Sequence, residues 1–424
     1  MFRQLLLGSV LLMQGTFAYG GAALYHVAPD GGSWPCGGAS STCRSISEVT
    51  SNTPLADITI RLAMGNYTGT AIIDASKFSI LNISGGWNTD FSHQACNPES
   101  TVLEGQVNSS VMHVTASAFT TIELDLSCFR IKGTLTTSRN GIDLSAYGGN
   151  IVLKAQQLVF EHIAGIALDL YSEQGGGLDV ALQKLIFRDA YQPEGSAKWS
   201  GGAIHSSGYG GSTQTITLDN SLLYENSAMQ GAAIQVRAAN PAPASAATID
   251  LFITNSTIVD NHSISDGGDG GAIYVIASDA SQATVHLKNA IIRGNDIIGV
   301  ARDFNISSFD TAIATVNASY SDIGEVFIFG SSGVYNDNGN NLDVNPVLDS
   351  RYHLADNSPL IDKAQCGYTI FNTYQRVAPY DDIDGEKRPG FGVISGCDMG
   401  ADETSGGFCV PFKTPAGKVG IFCL

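Results

Sequence analysis

A short strand unit repeats through the middle of the chain, and this repeat limits the fold more than any other feature of the sequence. Each unit starts with a strand in which two apolar residues flank one other residue. The starts are Ile151-x-Leu153, Leu178-x-Val180, Ile216-x-Leu218, Ile249-x-Leu251 and Val285-x-Leu287. An alternation with a period of two residues places one side of a strand inward and the other side outward.

Two more short strands follow the first in each unit. The second strand ends on a polar residue, as in Leu158–His162, Leu185–Asp189, Leu222–Asn226, Thr257–Asn261 and Ile291–Asn295. The third is a run of small residues that ends on an apolar one, as in Gly201–Ile204, Gly231–Ile234 and Gly270–Ile273. Three short strands cannot bury a face alone, but stacked coils close a continuous core and pair in parallel about 4.8 Å apart.

The repeat therefore predicts an all-β fold, a single-stranded right-handed parallel β-helix, or solenoid. A parallel βαβ sheet would need amphipathic helices, and no pattern with a period of about 3.6 residues lies between Ile151 and Asn295. A β-propeller would need four-stranded blades, which the three-strand unit does not supply. We expect Ile204, Ile234 and Ile273 to stack in one inward column.

The polar residue at the end of each second strand has a structural interpretation. These residues are His162, Asp189, Asn226, Asn261 and Asn295. An Asn side chain at a tight turn bonds to backbone groups and to the equivalent Asn of the next coil. We predict a structural ladder at this corner, which we favour over a row of catalytic or ligand-binding amides. A corner role is favoured over catalysis for His162 as well.

The cysteines predict a disulfide-tied N-terminal cap and C-terminal cap. The 8 Cys are Cys36, Cys43, Cys96, Cys128, Cys366, Cys397, Cys409 and Cys423. An even number in an exported chain indicates disulfides, whereas zinc binding would suit CxxC pairs, which the sequence lacks. Nearest-neighbour pairing predicts the bridges 36–43, 96–128, 366–397 and 409–423. The long middle without Cys is expected for a repeat array that is stapled only at its caps.

The amino terminus predicts export. Arg3 supplies the positive charge near the start, and the short apolar run Leu5–Met13 and a cleavage site at Thr16–Ala18 follow it. We assign residues 1–18 as a signal peptide, with cleavage after Gly20 or Ala23 as alternatives. The apolar run is too short to be a membrane anchor, and no later segment is apolar enough to span a membrane. The predicted location is secreted or cell-surface.

The charge balance disfavours polyanionic partners. The chain carries 40 Asp and Glu against 22 Lys and Arg, a formal net charge of −18. Binding of nucleic-acid phosphates needs clustered basic residues, so we expect no nucleic-acid partner. An anionic glycan would need a local basic patch or a bridging cation. The hydrophobic fraction of 43% is enough to bury a core.

The repeats and the amino-terminal segments resemble known β-helix families. Together the repeats resemble the right-handed parallel β-helix superfamily that includes pectate lyases. The Gly-Gly-Ala-Ile blocks at 201–204 and 270–273 are similar to passenger repeats of polymorphic outer-membrane proteins, which are surface adhesins. Tyr25–Gly31, Met64–Gly69 and Ile83–Trp87 are similar to the N-terminal coil of many bacterial β-helix proteins. The resemblance implies an extracellular β-helix.

The segment near the carboxyl terminus resembles the bacterial choice-of-anchor Q domain. Ser358–Asp362, Asp382–Arg388 and Asp398–Glu403 carry this resemblance. It implies a surface protein with an interchangeable anchor, but the tail holds two Cys and no sorting motif, so free secretion stays an alternative. We divide the chain into a signal peptide (1–18), a β-helix with its N-terminal cap (19–345), a choice-of-anchor-Q-like cap (346–403) and a C-terminal tail (404–424).

Motifs for polysaccharide cleavage are incomplete. Polygalacturonases of this fold carry Asn-Thr-Asp, Asp-Asp, Gly-His-Gly and Arg-Ile-Lys in that order, whereas here the order differs and Gly-His-Gly is absent. A lyase base is hard to place, since Arg237 is the only Lys or Arg between Lys198 and Lys288. Asp266 and Asp269 could hold Ca²⁺ with their neighbours, but a solvated turn is favoured, and no cofactor is predicted.

Aromatic residues on the corner loops give the functional prediction. Tyr191, Trp199 and Tyr209 can stack on sugar rings, and Asp266 with Asp269 would form an acidic floor on the same side of the solenoid. We expect a shallow groove there for neutral sugars. The predicted function is a non-enzymatic adhesin or glycan-binding protein; the alternative is a polysaccharide lyase or glycoside hydrolase. The expected partner is an extracellular polysaccharide or a host or cell-surface glycan.

Overall fold

The computed structural model of the chain describes residues 22–106, 108–133, 140–191, 201–240, 245–264, 270–330, 332–370, 373–389 and 396–404, together with the backbone of 409–413 and 419–423. The predicted signal peptide, residues 1–18, lies outside the described residues. Trp199, Asp266 and Asp269 lie outside them as well.

The described chain folds into the β-helix that the repeats predict. Each strand pairs in parallel with the equivalent strand of the next coil, so that Ile204 pairs with Ile234 and Ile234 with Ile273. All three isoleucines are fully buried. The prediction of an all-β right-handed parallel β-helix is therefore confirmed.

The coils present three faces. Face 1 consists of β1 (Ala23–Gly32), β2 (Asp57–Ala63), β5 (Ile80–Trp87), β8 (Thr121–Lys132), β10 (Asn150–Glu161), β12 (Gly177–Gln183), β15 (Thr213–Asp219), β19 (Thr248–Thr254), β23 (Gln282–Lys288), β28 (Ile313–Ser319) and β31 (Gly333–Asp337). Face 2 consists of the ends of β8 and β10 with β3 (Gly65–Thr68), β6 (Thr101–Glu104), β13 (Ile186–Arg188), β16 (Leu222–Tyr224), β20 (Thr257–Val259), β24 (Ile291–Arg293) and β29 (Asp322–Ile323). Face 3 consists of β4 (Ala71–Asp74), β7 (Met112–Ser117), β9 (Ile142–Tyr147), β11 (Leu168–Glu173), β14 (Ile204–Tyr209), β18 (Ile234–Ala239), β22 (Ile273–Ala277), β27 (Phe304–Ser308) and β30 (Val326–Gly330).

Smaller elements lie at the corners and ends. A four-stranded corner sheet between face 2 and face 3 contains β17 (Ser227–Ala228), β21 (His262–Ser263), β25 (Asp296–Ile297) and β26 (Val300–Ala301). The C-terminal hairpins are β32 (Gly367–Ile370) with β33 (Thr373–Arg376) and β34 (Cys409–Lys413) with β35 (Val419–Cys423). The helical elements are α1 (Ile46–Asn52) and a 3-10 turn at Pro98–Ser100.

Alternation within each strand builds the core. In β15, Gln214, Ile216 and Leu218 are buried, whereas Thr215 and Thr217 point outward. The inward residues of successive coils form one continuous apolar cluster along the axis. Phe160 and Phe187 stack within it, with ring centroids 4.6 Å apart and planes 12° from parallel. The short strands are stable because each coil supplies the inner surface that its neighbours lack.

Each coil passes from face 1 to face 2 through a residue with a left-handed backbone. The φ angle is 52° at Gln157, 55° at Lys184, 46° at Asn220, 44° at Asn255 and 57° at Asn289. Asn is among the non-glycine residues that tolerate this region best, which accounts for its place in three successive coils. The tight turn keeps both faces within one 18-stranded sheet.

A column of buried asparagines closes the corner after face 2. Asn226 Nδ2 donates to Asn261 Oδ1 at 2.9 Å, and Asn261 Nδ2 donates to Asn295 Oδ1 at 2.9 Å. Asn295 Nδ2 donates in turn to Asp303 Oδ1 at 2.8 Å. The Oδ1 atoms of the asparagines also accept backbone N–H groups from the preceding coil. We call this row of side chains the Asn column.

His162 and Asp189 do not belong to the Asn column. The strand register places Ala190 opposite Asn226, and Ala190 N donates to Asn226 Oδ1 at 3.1 Å. His162 and Asp189 lie one residue earlier, at left-handed corner positions with φ of 52° and 53°. Both side chains are partly exposed, with His162 Nε2 3.7 Å from Asp189 Oδ2. The prediction of a five-member ladder is corrected accordingly.

The N-terminal end of the solenoid is covered and stapled. Helix α1 begins after Ser45, whose side chain accepts a hydrogen bond from Glu48 N at 3.1 Å. It buries Ile46 and Val49 against the first coils. The predicted bridges Cys36–Cys43, Cys96–Cys128 and Cys366–Cys397 are present. Cys409 and Cys423 are backbone partners in the last hairpin, and their side chains lie outside the described part of the chain.

The described residues of the segment 346–403, predicted as the C-terminal cap, lie along the side of several coils. Its backbone carbonyls accept hydrogen bonds from the left-handed asparagines of the face 1 to face 2 corner, at 2.5–3.2 Å. Arg388 anchors the segment, because its buried guanidinium donates to Glu403 Oε2 at 2.7 Å and to two backbone carbonyls at 2.9 Å. We call residues 346–403 the side strap. Within the described residues, no helix is both long and apolar enough to cross a membrane.

Candidate functional site

Face 3 carries an outward column of ionisable side chains on four successive strands. The register aligns His113 of β7 with Asp143 of β9, then with Asp169 of β11 and His205 of β14. The two carboxylates are 19% and 18% exposed, and the two imidazoles 41% and 14%. Because equivalent positions stack one coil apart, these residues form a continuous row on the surface. We call it the polar row.

A buried asparagine fixes the two carboxylates of the polar row. Asn140 Nδ2 donates to Asp143 Oδ1 at 2.5 Å and to Asp169 Oδ2 at 3.0 Å. Its Oδ1 accepts from Ile166 N at 3.1 Å. Ser110 Oγ donates to the other oxygen of Asp143 at 2.5 Å. Hydrogen bonds therefore hold both carboxylates in place, and each is only partly exposed.

The histidines extend the row at both ends. A hydrogen bond of 2.7 Å joins His205 Nδ1 and Asp169 Oδ1. His113 Nδ1 lies 3.7 Å from Asp143 Oδ2. The row thus places two adjacent carboxylates, which accept hydrogen bonds, between two imidazoles, which can donate them, and both kinds of group can bind the hydroxyls of a sugar.

Three tyrosines from successive coils lie on the same face as the polar row, and the register places Tyr171 two residues nearer to that row than Tyr147 and Tyr209. Tyr147 of β9, Tyr171 of β11 and Tyr209 of β14 come from successive coils, with ring centroids 5.6 Å and 5.7 Å apart. Tyr147 is 39% exposed, and the other two are half-buried. Tyr171 Oη donates to Glu173, and burial together with this carboxylate raises the pKa of Tyr171. We call these residues the tyrosine row.

Local sequence explains both rows. In β9 and β11 the segments Ile142-Asp-Leu144 and Leu168-Asp-Leu170 bury their apolar residues, which turns the intervening Asp outward. The tyrosines occupy outward positions farther along the same strands. The doubled apolar-Asp-Leu pattern is a signal in the sequence for paired carboxylates, although Asp143 and Asp169 were not among the predicted site residues.

The structure brings together only part of the predicted ligand site. Tyr209 lies in the tyrosine row. Tyr191 lies at the corner before β14, where it forms isolated β-bridges with Ala164 and Ser227. Tyr209 is the last residue of β14, so Tyr191 and Tyr209 lie at opposite edges of face 3. Trp199, Asp266 and Asp269 lie outside the described residues, and the groove predicted from them stays a prediction.

The acidic residues of the side strap form a tight turn and lie close to His353. Asp382 Oδ1 accepts the backbone N–H groups of Asp384–Glu386 at 2.7–3.0 Å. His353, Asp384 and Asp402 place one ligand atom each within 4.8 Å of the others. However, Nε2 of His353 faces Asp384 at 3.5 Å and Nδ1 faces Asp402 at 3.8 Å. Such groups of acidic residues are common without an ion, and a turn or an imidazole–carboxylate contact accounts for each of these side chains, so we assign no metal here.

The strand register and the bridges define a disulfide-stapled parallel β-helix, a class of architecture whose disulfides are typical of exported proteins. No protein-family model matches the sequence, and no curated protein sequence matches it. Among solved structures, it is similar to the crystal structure of pectate lyase Pel9A, with a TM-score of 0.43 and 13% identity over 90% of this chain and 97% of that chain. The fold itself rests on the strand pairings.

Proposed function

We propose that this chain is an exported protein that binds a neutral extracellular polysaccharide on face 3 without cleaving it. One observation carries the proposal: the tyrosine row and the polar row lie on the same face and share three successive strands. Aromatic rings offer apolar area to the faces of sugars, and fixed carboxylates and imidazoles offer hydrogen bonds to their hydroxyls. Binding of this kind needs no cofactor.

Charge favours neutral sugars over uronates. Asp143, Asp169 and Glu173 line the site, and the whole chain has a formal net charge of −18. A polymer of carboxylated sugars would meet like charge along its length. A neutral or amino-bearing glycan would meet hydrogen-bond acceptors instead.

The proposed setting is the outside of a cell. Three disulfides are consistent with an oxidising compartment, and residues 1–18 have the pattern of a signal peptide. The likeness of 358–362, 382–388 and 398–403 to the choice-of-anchor Q domain supports display at a surface. The protein would then act as an adhesin or as a secreted glycan-binding protein.

A glycan array tests the proposal. We expect retention of neutral glycans and none of polygalacturonate. Tyr171→Ala should weaken binding about tenfold or more, which corresponds to roughly 1.4 kcal/mol, whereas Tyr171→Phe keeps the ring and most of the affinity. Phe252→Ala is the matched control, because Phe252 is a partly exposed outward aromatic residue on face 1. Absence of any bound glycan, or an unchanged Tyr171→Ala variant, would overturn the proposal.

A glycoside hydrolase is the second candidate, and one observation favours it. Asp143 and Asp169 are register partners, and neighbouring parallel strands lie about 4.8 Å apart, near the carboxyl separation of roughly 5 Å in retaining glycosidases. We rank it second because Asn140, Ser110 and His205 already occupy these carboxylates with hydrogen bonds. New reducing ends that disappear in Asp143→Asn and Asp169→Asn variants would establish the hydrolase.

A further inference from the structure

The last coil of the solenoid presents an exposed apolar end among the described residues. Ile328 of β30 pairs with Ile306 of β27, which is fully buried, whereas Ile328 itself is 44% exposed. Its neighbours Phe327 and Phe329 are 41% and 51% exposed, and Val334 of β31 is 37% exposed. We call the surface formed by Phe327, Ile328, Phe329 and Val334 the open end. A contiguous apolar surface of this kind marks a contact site.

The backbone of the last coil is also open on its outer side. β30 pairs with β27 and β31 pairs with β28, and among the described residues no further strand follows either of them. The sequence of β30, Val-Phe-Ile-Phe-Gly, contains no charge and no proline. An edge strand with such a sequence readily accepts another strand. The last coil therefore offers both apolar side chains and free backbone groups to a partner.

The described residues of the side strap lie elsewhere. The strap runs back from the last coil toward earlier coils, where its carbonyls accept hydrogen bonds from asparagines of three coils. Thr404 follows the strap directly, and its backbone N and its Oγ1 donate to Asp398 Oδ2 at 2.8 Å and 2.7 Å. The segment 405–424 comes next in the chain, and it is the segment that can return to the open end.

We propose that residues 409–423, which we call the tail hairpin, fold over the open end and pack against β30 and β31. The two strands β34 and β35 pair with each other, and the described backbone shows no solenoid strand paired with them. Their sequences, Cys-Val-Pro-Phe-Lys and Val-Gly-Ile-Phe-Cys, are mostly apolar. A two-stranded hairpin is marginally stable in water unless it packs on further structure. The open end and the tail hairpin each supply the partner that the other needs.

The length of the connection permits this contact. Thr404 is bound to Asp398, whose carbonyl accepts a hydrogen bond from Asn255 at 3.2 Å. Three coil steps separate Asn255 from the end of β31, a distance of about 14 Å. The five residue steps from Thr404 to Cys409 span up to about 17 Å. The tail hairpin can therefore begin at the last coil and cross its end, and its strands match β30 in length at 5 residues each.

Charge favours the tail hairpin over a second copy of the chain. Residues 405–424 contain two charged side chains, Lys413 and Lys418, and both are basic. Glu325 and Asp337 are exposed acidic residues beside the open end. Two open ends in contact would bring these acids together on chains that each carry a net charge of −18. The amino-terminal end is covered by α1, so stacking of one chain on the next from end to end is disfavoured as well.

Hydrogen exchange of the full chain and of a chain cut after Thr404 tests the proposal. Removal of the tail should raise exchange in peptides from 326–337 about tenfold or more and leave peptides from 204–254 unchanged. Light scattering should show a monomeric parent, whereas the cut chain should associate through its uncovered end. A synthetic peptide of residues 405–424 should restore slow exchange when it is added to the cut chain.

A point variant separates loss of the contact from damage by truncation. Phe412→Asp places a charge in the tail hairpin and should also raise exchange in peptides from 326–337. Tyr380→Asp is the matched control, because Tyr380 is 70% exposed on the side strap, and it should leave this exchange unchanged. Equal exchange in 326–337 for the parent, the cut chain and Phe412→Asp would overturn the proposal. A dimeric parent whose exchange in 326–337 rises on dilution would assign the open end to a second copy and overturn it as well.

Discussion

At the scale of single residues, Asn261 stands at the centre of the Asn column. Its Nδ2 donates to Asn295 Oδ1 at 2.9 Å and to two backbone carbonyls at 2.9 Å and 3.0 Å. Its Oδ1 accepts both the side chain and the backbone N–H of Asn226. Asn261 is fully buried, so each of these groups depends on protein partners instead of water.

Asn261→Ala should therefore destabilise the fold by roughly 1–3 kcal/mol, because it leaves buried donors and acceptors without partners. Chemical denaturation at neutral pH measures this change in the free energy of unfolding. Asn66→Ala is the control, since Asn66 is exposed on β3, and it should have little effect. Unfolding curves of the Asn261 variant that overlay those of the parent would rule out an energetic role for the column.

The sequence predicted most of this column and misplaced part of it. Asn226, Asn261 and Asn295 form the hydrogen-bonded column, whereas His162 and Asp189 lie at the left-handed position one residue earlier. The reason is local. The adjacent residues Leu222 and Leu223 both precede Asn226 in its strand. From the sequence alone, either leucine can be aligned with the inward apolar residue of the preceding coil. Only the strand register decides between the two alignments.

At the scale of elements, the end of β15 meets the side strap. Asp219 points outward there, and Asn220 Nδ2 donates to Asp381 O at 2.5 Å while Lys184 Nζ lies 3.2 Å from Asp381 Oδ1. Burial raises the pKa of Asp219 to about 6, although a hydrogen bond from Thr254 partly opposes the shift. The carboxyl group next to this contact therefore takes up a proton more readily than an exposed aspartate does.

The pH dependence of stability follows from this shift. Because the pKa of Asp219 is higher in the folded state, the folded protein binds more protons than the unfolded chain between about pH 4 and pH 6, and stability falls as the pH rises through this range. The loss should be about 1–3 kcal/mol for a partly accessible group. Asp219→Asn should remove this part of the pH dependence, whereas Asp179→Asn, at an exposed site on β12, should keep it. Parallel unfolding profiles for the parent and Asp219→Asn would contradict the assignment.

Strand patterns predicted the elements better than the site. Alternation fixed which residues of each strand point inward, and the inward isoleucine column is as expected. The polar row depends instead on which outward residues meet across strands that are far apart in the sequence, such as Asp143 and Asp169. Turn lengths between coils vary, so the register between outward side chains could not be read from spacing alone.

At the scale of the whole molecule, different devices hold different parts of the solenoid. The Cys96–Cys128 bridge ties the loop before β6 to β8, and Cys36–Cys43 closes the N-terminal end. The coils from 204 to 319 contain no cysteine and are held by the continuous core, the Asn column and the side strap. Since each coil contacts mainly its neighbours, stability in such an array is a sum of local terms.

Loss of the Cys96–Cys128 bridge should therefore loosen the molecule locally, toward its N-terminal end. A bridge that closes a loop of 32 residues stabilises a fold by roughly 4 kcal/mol, and its loss affects the coils around β5 to β8. Hydrogen exchange of the double variant Cys96→Ala/Cys128→Ala should show faster exchange in peptides from 80–132 and little change in peptides from 204–319. A reducing buffer also opens Cys366–Cys397, so it should add faster exchange in the side strap. If protection falls equally along the whole chain, the coils unfold as one cooperative unit, and the local account of stability is wrong.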